Sequence, residues 1–303
     1  MGKVTRPSMV TEITAKTILN HVKQPDNWFG LKYNMNLYRG CQHQCIYCDS
    51  RSECYRLGDL ADIRVKVNAL ELLKDALPRK RVRGTIGFGS MNDLYMPIEK
   101  EYRLARGALE IIQNYQFPVH ILTKSDLVLR DIDVLSEINQ IYAAVSFTIT
   151  TADDELASKV EPGAPLPSSR FKAMRILTDA GILTGVTMMP ILPFLEDDPE
   201  NIRQIVQKAA DSWASYIIPA FGMTLRPGSR DYYYQKLDQL FPSVKEKYIR
   251  AFGDSYQCSA SNWKQLDDVF REEIFQAGIR SKIPVFEPEK IIEKSNQIPL
   301  FGE

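Results

Sequence analysis

The chain has no excess of either charge, since 38 lysines and arginines balance 38 aspartates and glutamates over 303 residues. A protein whose main task is to coat nucleic acid, such as a histone-like or ribosomal protein, carries a net basic charge. The balance therefore argues against that class, although it leaves room for a local basic groove.

Long apolar segments are also missing. The first residues, MGKVTRPSMVTEITAK, lack the apolar stretch of a secretory signal peptide, and no apolar run is long enough to span a membrane. We therefore expect a cytoplasmic protein without membrane segments. Five cysteines in 303 residues are too few for a disulfide scaffold. In a reducing compartment, clustered cysteines are more often metal ligands or catalytic groups.

Strand-like and helix-like segments alternate along most of the chain. About six such units span residues 33–225, which predicts a parallel sheet with right-handed crossovers. The pattern favours a partial or full α/β barrel, whose site would lie at the carboxyl ends of the strands. The same order would permit an open doubly wound sheet, although the chain shows no GxGxxG fingerprint for a dinucleotide. Two further helices are predicted at 232–251 and 262–278.

Four of the five cysteines lie in the segment YRGCQHQCIYCDSRSECY, residues 38–55. Cys41, Cys45 and Cys48 form C-x3-C-x2-C, and Cys54 follows six residues later. Four thiolates could hold zinc, but zinc sites usually combine two C-x2-C pairs and only one pair is present. A redox pair would call for a helix directly after the first thiol, which the sequence hardly supports. An iron–sulfur cluster held by three cysteines would leave one iron open to another ligand.

The C-x3-C-x2-C spacing after a first barrel strand, with Tyr47 before the last cysteine, resembles the radical S-adenosylmethionine (SAM) superfamily. The resemblance implies an α/β fold, a partial (β/α)6 radical SAM barrel with a helical C-terminal extension. It implies a [4Fe-4S] cluster on Cys41, Cys45 and Cys48, with SAM on the open iron and Cys54 as a non-ligand. Reduction by a flavodoxin- or ferredoxin-type donor would cleave SAM to methionine and a 5′-deoxyadenosyl radical, which abstracts hydrogen from a substrate.

The domain boundaries that follow are an N-terminal segment at 1–30, a core barrel at 31–228, a helical extension at 229–290 and a flexible tail at 291–303.

A narrower resemblance is to the spore photoproduct lyase-like members of that superfamily. Its motifs each fall at the carboxyl end of a predicted strand or just beyond it: NLYRGC, MNDLYMPIEKEYRLAR (91–106), TKS (123–125), SFTITT (146–151), VEP (160–162) and PILP (190–193). This resemblance implies that Tyr47 lies near the adenine of SAM. It also implies that Asn92 and Asp93 approach the methionine or ribose end, that Lys124 pairs with the carboxylate and that Ser146 bonds the ribose or carboxylate.

One departure from the lyase pattern concerns the hydrogen donor. Spore photoproduct lyases carry a cysteine just after the second strand, and this chain has Met91 there. A thioether has no S–H to give, so repair by the known route is in doubt. Cys258 could substitute if the C-terminal region folds over the barrel; otherwise it is a small buried apolar residue.

The substrate predicted from these features is a nucleic acid or nucleotide. The lyase-like core, the arginines Arg39, Arg51 and Arg56 beside the cysteines, and the arginine–tyrosine segment 226–236 all favour it. The alternatives are a radical SAM enzyme that modifies a peptide or small metabolite, and a non-catalytic iron–sulfur or zinc protein. In the tail, Gln297, Leu300 and Phe301 resemble the peptide with which bacterial enzymes dock onto the replication sliding clamp.

Overall fold

The computed structural model describes residues 9–23 and 26–287. The predicted clamp-docking residues Gln297, Leu300 and Phe301 lie outside this described part.

The strands of the described residues are β1 Val10–Ile13, β2 Leu19–His21, β3 Tyr33–Met35, β4 Tyr38–Arg39, β5 Ile63–Lys66, β6 Ile86–Phe88, β7 Val119–Thr123, β8 Ala143–Thr148, β9 Leu183–Met188, β10 Tyr216–Pro219, β11 Gly222–Thr224 and β12 Gln257–Ser259. The α-helices are α1 Ala69–Ala76, α2 Glu99–Tyr102, α3 Leu104–Asn114, α4 Ile132–Ile138, α5 Asp154–Val160, α6 Pro167–Asp179, α7 Pro199–Asp211, α8 Ser229–Leu240, α9 Val244–Phe252 and α10 Trp263–Ala277.

The main sheet runs in the order β2-β3-β6-β7-β8-β9-β10. The pairs from β3 to β10 are parallel, and β2 adds an antiparallel edge on β3. Each crossover therefore moves the chain to the next strand in the same direction. A doubly wound sheet would reverse direction at a switch point, whereas a barrel does not. The order confirms the α/β fold with a partial six-stranded barrel.

The strand pattern explains how the barrel is filled. Val119, Ile121, Val145 and Phe147 are buried in the main apolar core, together with residues of α3 and α4. Burial of each such side chain contributes about 1.5–3 kcal/mol. The alternate positions, among them His120 on β7, turn to the barrel interior.

Two helical segments are interrupted in the structure. Residues 99–114 are divided into α2 and α3 because Arg103 adopts a left-handed conformation, with φ at 50°. The helix predicted at 232–251 is divided into α8 and α9 around Pro242. Proline lacks an N–H and disfavours the helical conformation of the residue before it, so Pro242 is the physical cause.

The C-terminal extension packs against the barrel at two places. β11 and β12 pair as an antiparallel ribbon beyond the carboxyl end of β10. After α10, Arg280 bridges to Tyr216 of β10, and the hydroxyl of Tyr142 donates to the carbonyl of Pro284 at 2.9 Å. Phe29 stacks on His120 with ring centroids 4.8 Å apart. The contacts of Arg280, Tyr142 and Phe29 lie at the amino-terminal end of the barrel, opposite the cavity.

None of the helices in the described ranges is long and apolar enough to cross a membrane.

The carboxyl ends of β6 and β7 are closely packed at Gly89, which lies just after β6. Its φ is +91°, and an added Cβ would overlap the carbonyl oxygen of Leu122 on β7. Gly181 has a similar φ of +79° but nothing within 4 Å. We expect Gly181→Ala to cost about 1 kcal/mol, from the left-handed backbone alone, and Gly89→Ala about 2 kcal/mol more. Chemical denaturation of both variants checks this, and equal losses would show that the β6–β7 contact is not constrained.

Candidate active site

A cavity of about 610 Å³ opens at the carboxyl ends of the barrel strands. One side is the cysteine loop, residues 41–48, and the floor is formed by residues at the ends of β7, β8 and β9. The β11–β12 ribbon and Tyr55 form its outer rim, which we call the mouth. This is where a barrel of this type places its site.

The three cysteines of the motif all line this cavity. Cys41 and Cys45 are buried, and Cys48 is half-buried. Burial raises the pKa of Cys41 to about 12 and also raises the pKa of Cys45. Buried thiols of this kind become thiolates when a metal replaces their protons. The donor set therefore fits a soft metal centre held by sulfur.

Cys41, Cys45 and Cys48 could hold three irons of a [4Fe-4S] cluster and leave the fourth iron open to another ligand. In residues 9–23 and 26–287, no group of three His, Cys, Asp or Glu side chains is arranged to hold a single metal ion. Cys54 does not line the cavity; its thiol is exposed, with Sγ 3.4 Å from Nη1 of Arg226.

Asp93 lies in the cavity wall and joins the ends of β6 and β7 by hydrogen bonds. It accepts hydrogen bonds from Thr123 Oγ1 and the Lys124 amide, each at 2.7 Å, and Nε2 of His43 lies 3.1 Å away. Burial alone would raise the pKa of Asp93, but His43 and these hydrogen bonds lower it below its ordinary range. Both carboxylate oxygens are thus held by protein groups, and Asp93 shapes the wall beside any bound ligand.

Asn92 and Lys124 face the cavity with capacity to bind. The Nδ2 of Asn92 is buried and has no hydrogen-bond partner among the described residues. Such an orphaned donor is costly unless a ligand satisfies it. Nζ of Lys124 lies 3.8 Å from Oε1 of Glu161 and 5.7 Å from the ring centroid of Tyr47. Tyr47 donates its hydroxyl to Glu161. The predicted residues Tyr47, Asn92 and Lys124 therefore all line the same cavity.

Ser146 lies apart from them. Its Oγ is 2.8 Å from Nε2 of His120 and 2.6 Å from the hydroxyl of Tyr216, inside the barrel and below the cavity floor. Thr148, two residues nearer the end of β8, lines the cavity instead, with its Oγ1 3.1 Å from Oγ1 of Thr187. Sequence reasoning missed both threonines, although the period-two alternation of strands places Thr148 on the same face as Ser146.

Cys258 is also turned away from the cavity. It lies in β12, is 1% exposed, and its Sγ contacts the carbonyl of Ser255 at 3.9 Å. Burial raises the pKa of its thiol to about 11. Strand alternation directs its neighbours Gln257 and Ser259 to the cavity, where Met91 also lies. The predicted hydrogen donor thus belongs to the apolar cluster of Tyr233 and Tyr248.

A family model for the radical SAM superfamily matches residues 35–206, more than half of the chain. The chain belongs to the radical SAM superfamily. Members use a [4Fe-4S] cluster and SAM, and the residues lining the cavity fit both cofactors.

Relatives include proteins of an archaeon, of mycobacteria and of a phage. An uncharacterized protein of Methanocaldococcus jannaschii is 37% identical over 191 residues, covering 62% of this chain and 70% of that protein. The radical SAM Nalpha-GlyT isomerase of Pseudomonas phage M6 is 24% identical over 240 residues, covering 78% of this chain and 48% of that protein.

Among solved structures, spore photoproduct lyase complexed with dinucleoside spore photoproduct superimposes with a TM-score of 0.66 at 18% identity, covering 88% of this chain and 79% of that one. At this identity the likeness establishes the fold alone.

Substitution of the cysteines tests the ligand assignment. We expect Cys41→Ala, Cys45→Ala and Cys48→Ala each to abolish cluster uptake, because each removes one of the three thiolates that would hold the cluster. Cys54→Ala should keep it, since that thiol lies outside the cavity. Iron and sulfide analysis after anaerobic reconstitution measures the outcome. Loss of the cluster in Cys54→Ala would instead indicate a closed four-cysteine site.

A buried acid lies in the loop after β9. Glu196 is 1% exposed, and its two oxygens accept hydrogen bonds from Thr150 Oγ1 at 2.9 Å and the Leu192 amide at 3.0 Å. Burial raises the pKa of Glu196 to about 8. The folded chain therefore holds a proton that the unfolded chain releases near pH 4.5.

Glu196 should consequently make stability depend on pH. Its contribution is fully present below pH 4.5 and is lost as pH rises through about 8. Glu196→Gln cannot titrate, so its free energy of unfolding relative to the native chain should increase by about 2–5 kcal/mol between pH 5 and pH 8.5. Urea denaturation at several pH values measures this difference. A constant difference across the range would contradict the buried neutral acid.

Proposed function

We propose that this chain is a radical SAM enzyme whose deoxyadenosyl radical abstracts hydrogen from a nucleic acid or nucleotide. The observation that carries the proposal is that one cavity contains the three motif cysteines, the ammonium of Lys124 and the Asn92 amide, whose Nδ2 has no hydrogen-bond partner among the described residues; the cavity opens to solvent at the mouth. The cofactors, when bound, supply reductive cleavage of SAM to methionine and the 5′-deoxyadenosyl radical. The protein's part is to bind, orient and exclude water.

The cavity offers complementary groups for SAM. Lys124 carries a positive charge at the wall, which suits a carboxylate through a charge-assisted bond. Asn92 supplies an N–H that has no partner in the part of the chain that the structure describes, and the hydroxyls of Thr148 and Thr187 supply neutral donors and acceptors on the floor. We assign Tyr47 to the adenine side, because it is buried between the second and third motif cysteines and lines the cavity.

Cations and aromatic rings beside the mouth support a nucleic-acid or nucleotide substrate. Tyr55 lines the mouth, and Nη1 of Arg226 lies 3.2 Å from its hydroxyl. The guanidinium of Arg226 also lies 4.9 Å from the ring centroid of Tyr256. The guanidinium of Arg51 lies 3.6 Å from the ring centroid of Tyr232. Aromatic faces stack on bases and arginines pair with phosphates. The lyase of similar fold is known in complex with a dinucleoside, which agrees with this choice.

The reaction itself is expected to differ from photoproduct repair. Within the described residues, the cysteines that line the cavity are the three motif cysteines. Met91 occupies the wall where the lyase pattern has its thiol, and Cys258 faces away. We therefore propose a hydrogen-abstraction reaction that does not return hydrogen from a cysteine. The electron that starts it would come from a flavodoxin- or ferredoxin-type donor.

The test is isotope transfer. The protein is reconstituted anaerobically with iron and sulfide, then supplied with SAM, dithionite and a uniformly deuterated thymidine oligonucleotide or mononucleotide. We expect 5′-deoxyadenosine that contains deuterium from the nucleotide. The Cys45→Ala variant serves as the control, since it should form no deoxyadenosine.

Two outcomes would contradict the proposal in different ways. Deoxyadenosine that gains deuterium from a peptide or small metabolite, but from no nucleotide probe, would favour the alternative substrate class. An intact cluster that yields no deoxyadenosine with any probe would identify a non-catalytic iron–sulfur protein.

A further inference from the structure

Residues 160–163, the Val-Glu-Pro-Gly segment at the end of α5, lie directly against the cysteine loop. The carbonyl of Val160 accepts a hydrogen bond from the Ile46 amide at 2.9 Å, and the Gly163 amide donates to the carbonyl of His43 at 2.9 Å. A Cβ at position 163 would overlap the carbonyl oxygen of Gln42, so glycine is needed for this approach. The segment thus forms a backbone surface that supports the loop.

Glu161 adds a side-chain contact from the interior. Its Oε1 accepts a hydrogen bond from the hydroxyl of Tyr47, which lies between the second and third cysteines of the motif. Its Oε2 lies 2.5 Å from Nη2 of Arg170, and both side chains are 1% exposed. Arg170 also donates from Nη1 to the carbonyl of Thr148 at 2.8 Å. One carboxylate therefore links the cysteine loop, helix α6 and the end of β8.

The negative charge of Glu161 strengthens its hydrogen bond with Tyr47. Burial alone would raise the pKa of Glu161, but the charges of Arg170 and Lys124 lower it below its ordinary value. Glu161 is therefore an ionised acceptor, and hydrogen bonds to ionised groups are about twice as strong as neutral ones. In a buried site of low dielectric this hydrogen bond is stronger than it would be in water, which restricts the loop further.

We propose that Glu161 is a positioning residue for the iron–sulfur cluster. By holding Tyr47, it sets the relative orientation of Cys45 and Cys48 and so the strength with which the loop retains the cluster. The same carboxylate directs Lys124 along the cavity wall, with Nζ at 3.8 Å. The inference rests on the part of the proposed function that assigns the cluster ligands, and it is independent of the substrate.

A purely structural role is the competing explanation, because a buried arginine without its partner destabilises a fold. Tyr47→Phe separates the two explanations. It removes one oxygen atom from the contact and leaves the Glu161–Arg170 pair and the backbone bonds intact. Glu161→Gln removes the charge while keeping the shape of the side chain. Glu155→Gln is the matched control, since Glu155 lies on α5, the helix that ends just before Glu161, is 79% exposed and forms an ion pair only with Lys159 among the described residues.

The experiment measures retention of the cluster rather than turnover. Each reconstituted variant is mixed with an iron chelator, and the loss of cluster absorbance is followed. The EPR spectrum of the reduced cluster is recorded with and without SAM, and thermal melting of the cluster-free protein reports the fold. We expect Tyr47→Phe and Glu161→Gln to release iron about tenfold faster than the native chain, which corresponds to about 1.4 kcal/mol. Their EPR spectra should also be altered, whereas Glu155→Gln should match the native chain.

The possible results are distinct. Faster iron release and altered EPR in Tyr47→Phe, at an unchanged melting temperature, would support the positioning role. Native release rates and spectra in both variants would overturn it. Faster release that scales with a lower melting temperature, with a native EPR spectrum, would also overturn it in favour of a structural role. A native protein that retains its cluster but forms no deoxyadenosine would refute the catalytic proposal and leave this inference standing.

Discussion

Parallel strands joined by right-handed crossovers must end at the same rim, and this geometric constraint determines where the functional side chains of the chain can meet. Segments that are distant in sequence converge there because each follows a neighbouring strand. The cysteine loop follows β3 and β4, Asn92 follows β6, Lys124 follows β7, and Thr148 ends β8. The order of the sheet thus converts dispersed short motifs into one cavity wall.

Buried charges beneath the rim make that wall rigid. Asp93 and Glu161 are each surrounded by several donors, so neither carries an uncompensated charge in a low-dielectric interior. These bonds connect the ends of β6, β7 and β8 to the cysteine loop. The groups that remain available to ligands are then few, chiefly the amide of Asn92 and the ammonium of Lys124. Rigid surroundings and available groups together are what a bound cofactor requires.

The C-terminal extension determines the outer part of the site. Its ribbon places Gln257 and Ser259 at the mouth, and Arg226 joins Tyr55 to Tyr256 across the boundary between barrel and extension. The core of the superfamily supplies the cofactor side of the cavity, whereas these residues meet the substrate in the proposed function. Differences of reaction among relatives of one fold are expected to arise in such loops and extensions.

The sequence alone predicted an iron–sulfur centre and repeated strand–helix units, whereas the strand order of the folded sheet was needed to choose a barrel over an open doubly wound sheet. The cysteine spacing and the alternation of strands and helices are local patterns. Such patterns can be recognised without knowing which residues are in contact in the folded chain. Tertiary structure decided which side chains reach the cavity. Ser146 and Thr148 lie on the same face of β8. Only the folded barrel shows that Ser146 lies below the cavity floor and that Thr148 lies on it. Cys258 faces the interior because its register with Met223 decides its direction, and the partner of Glu161 is known only once α6 packs beneath the loop. Such contacts join residues far apart in the chain, and no local pattern contains them.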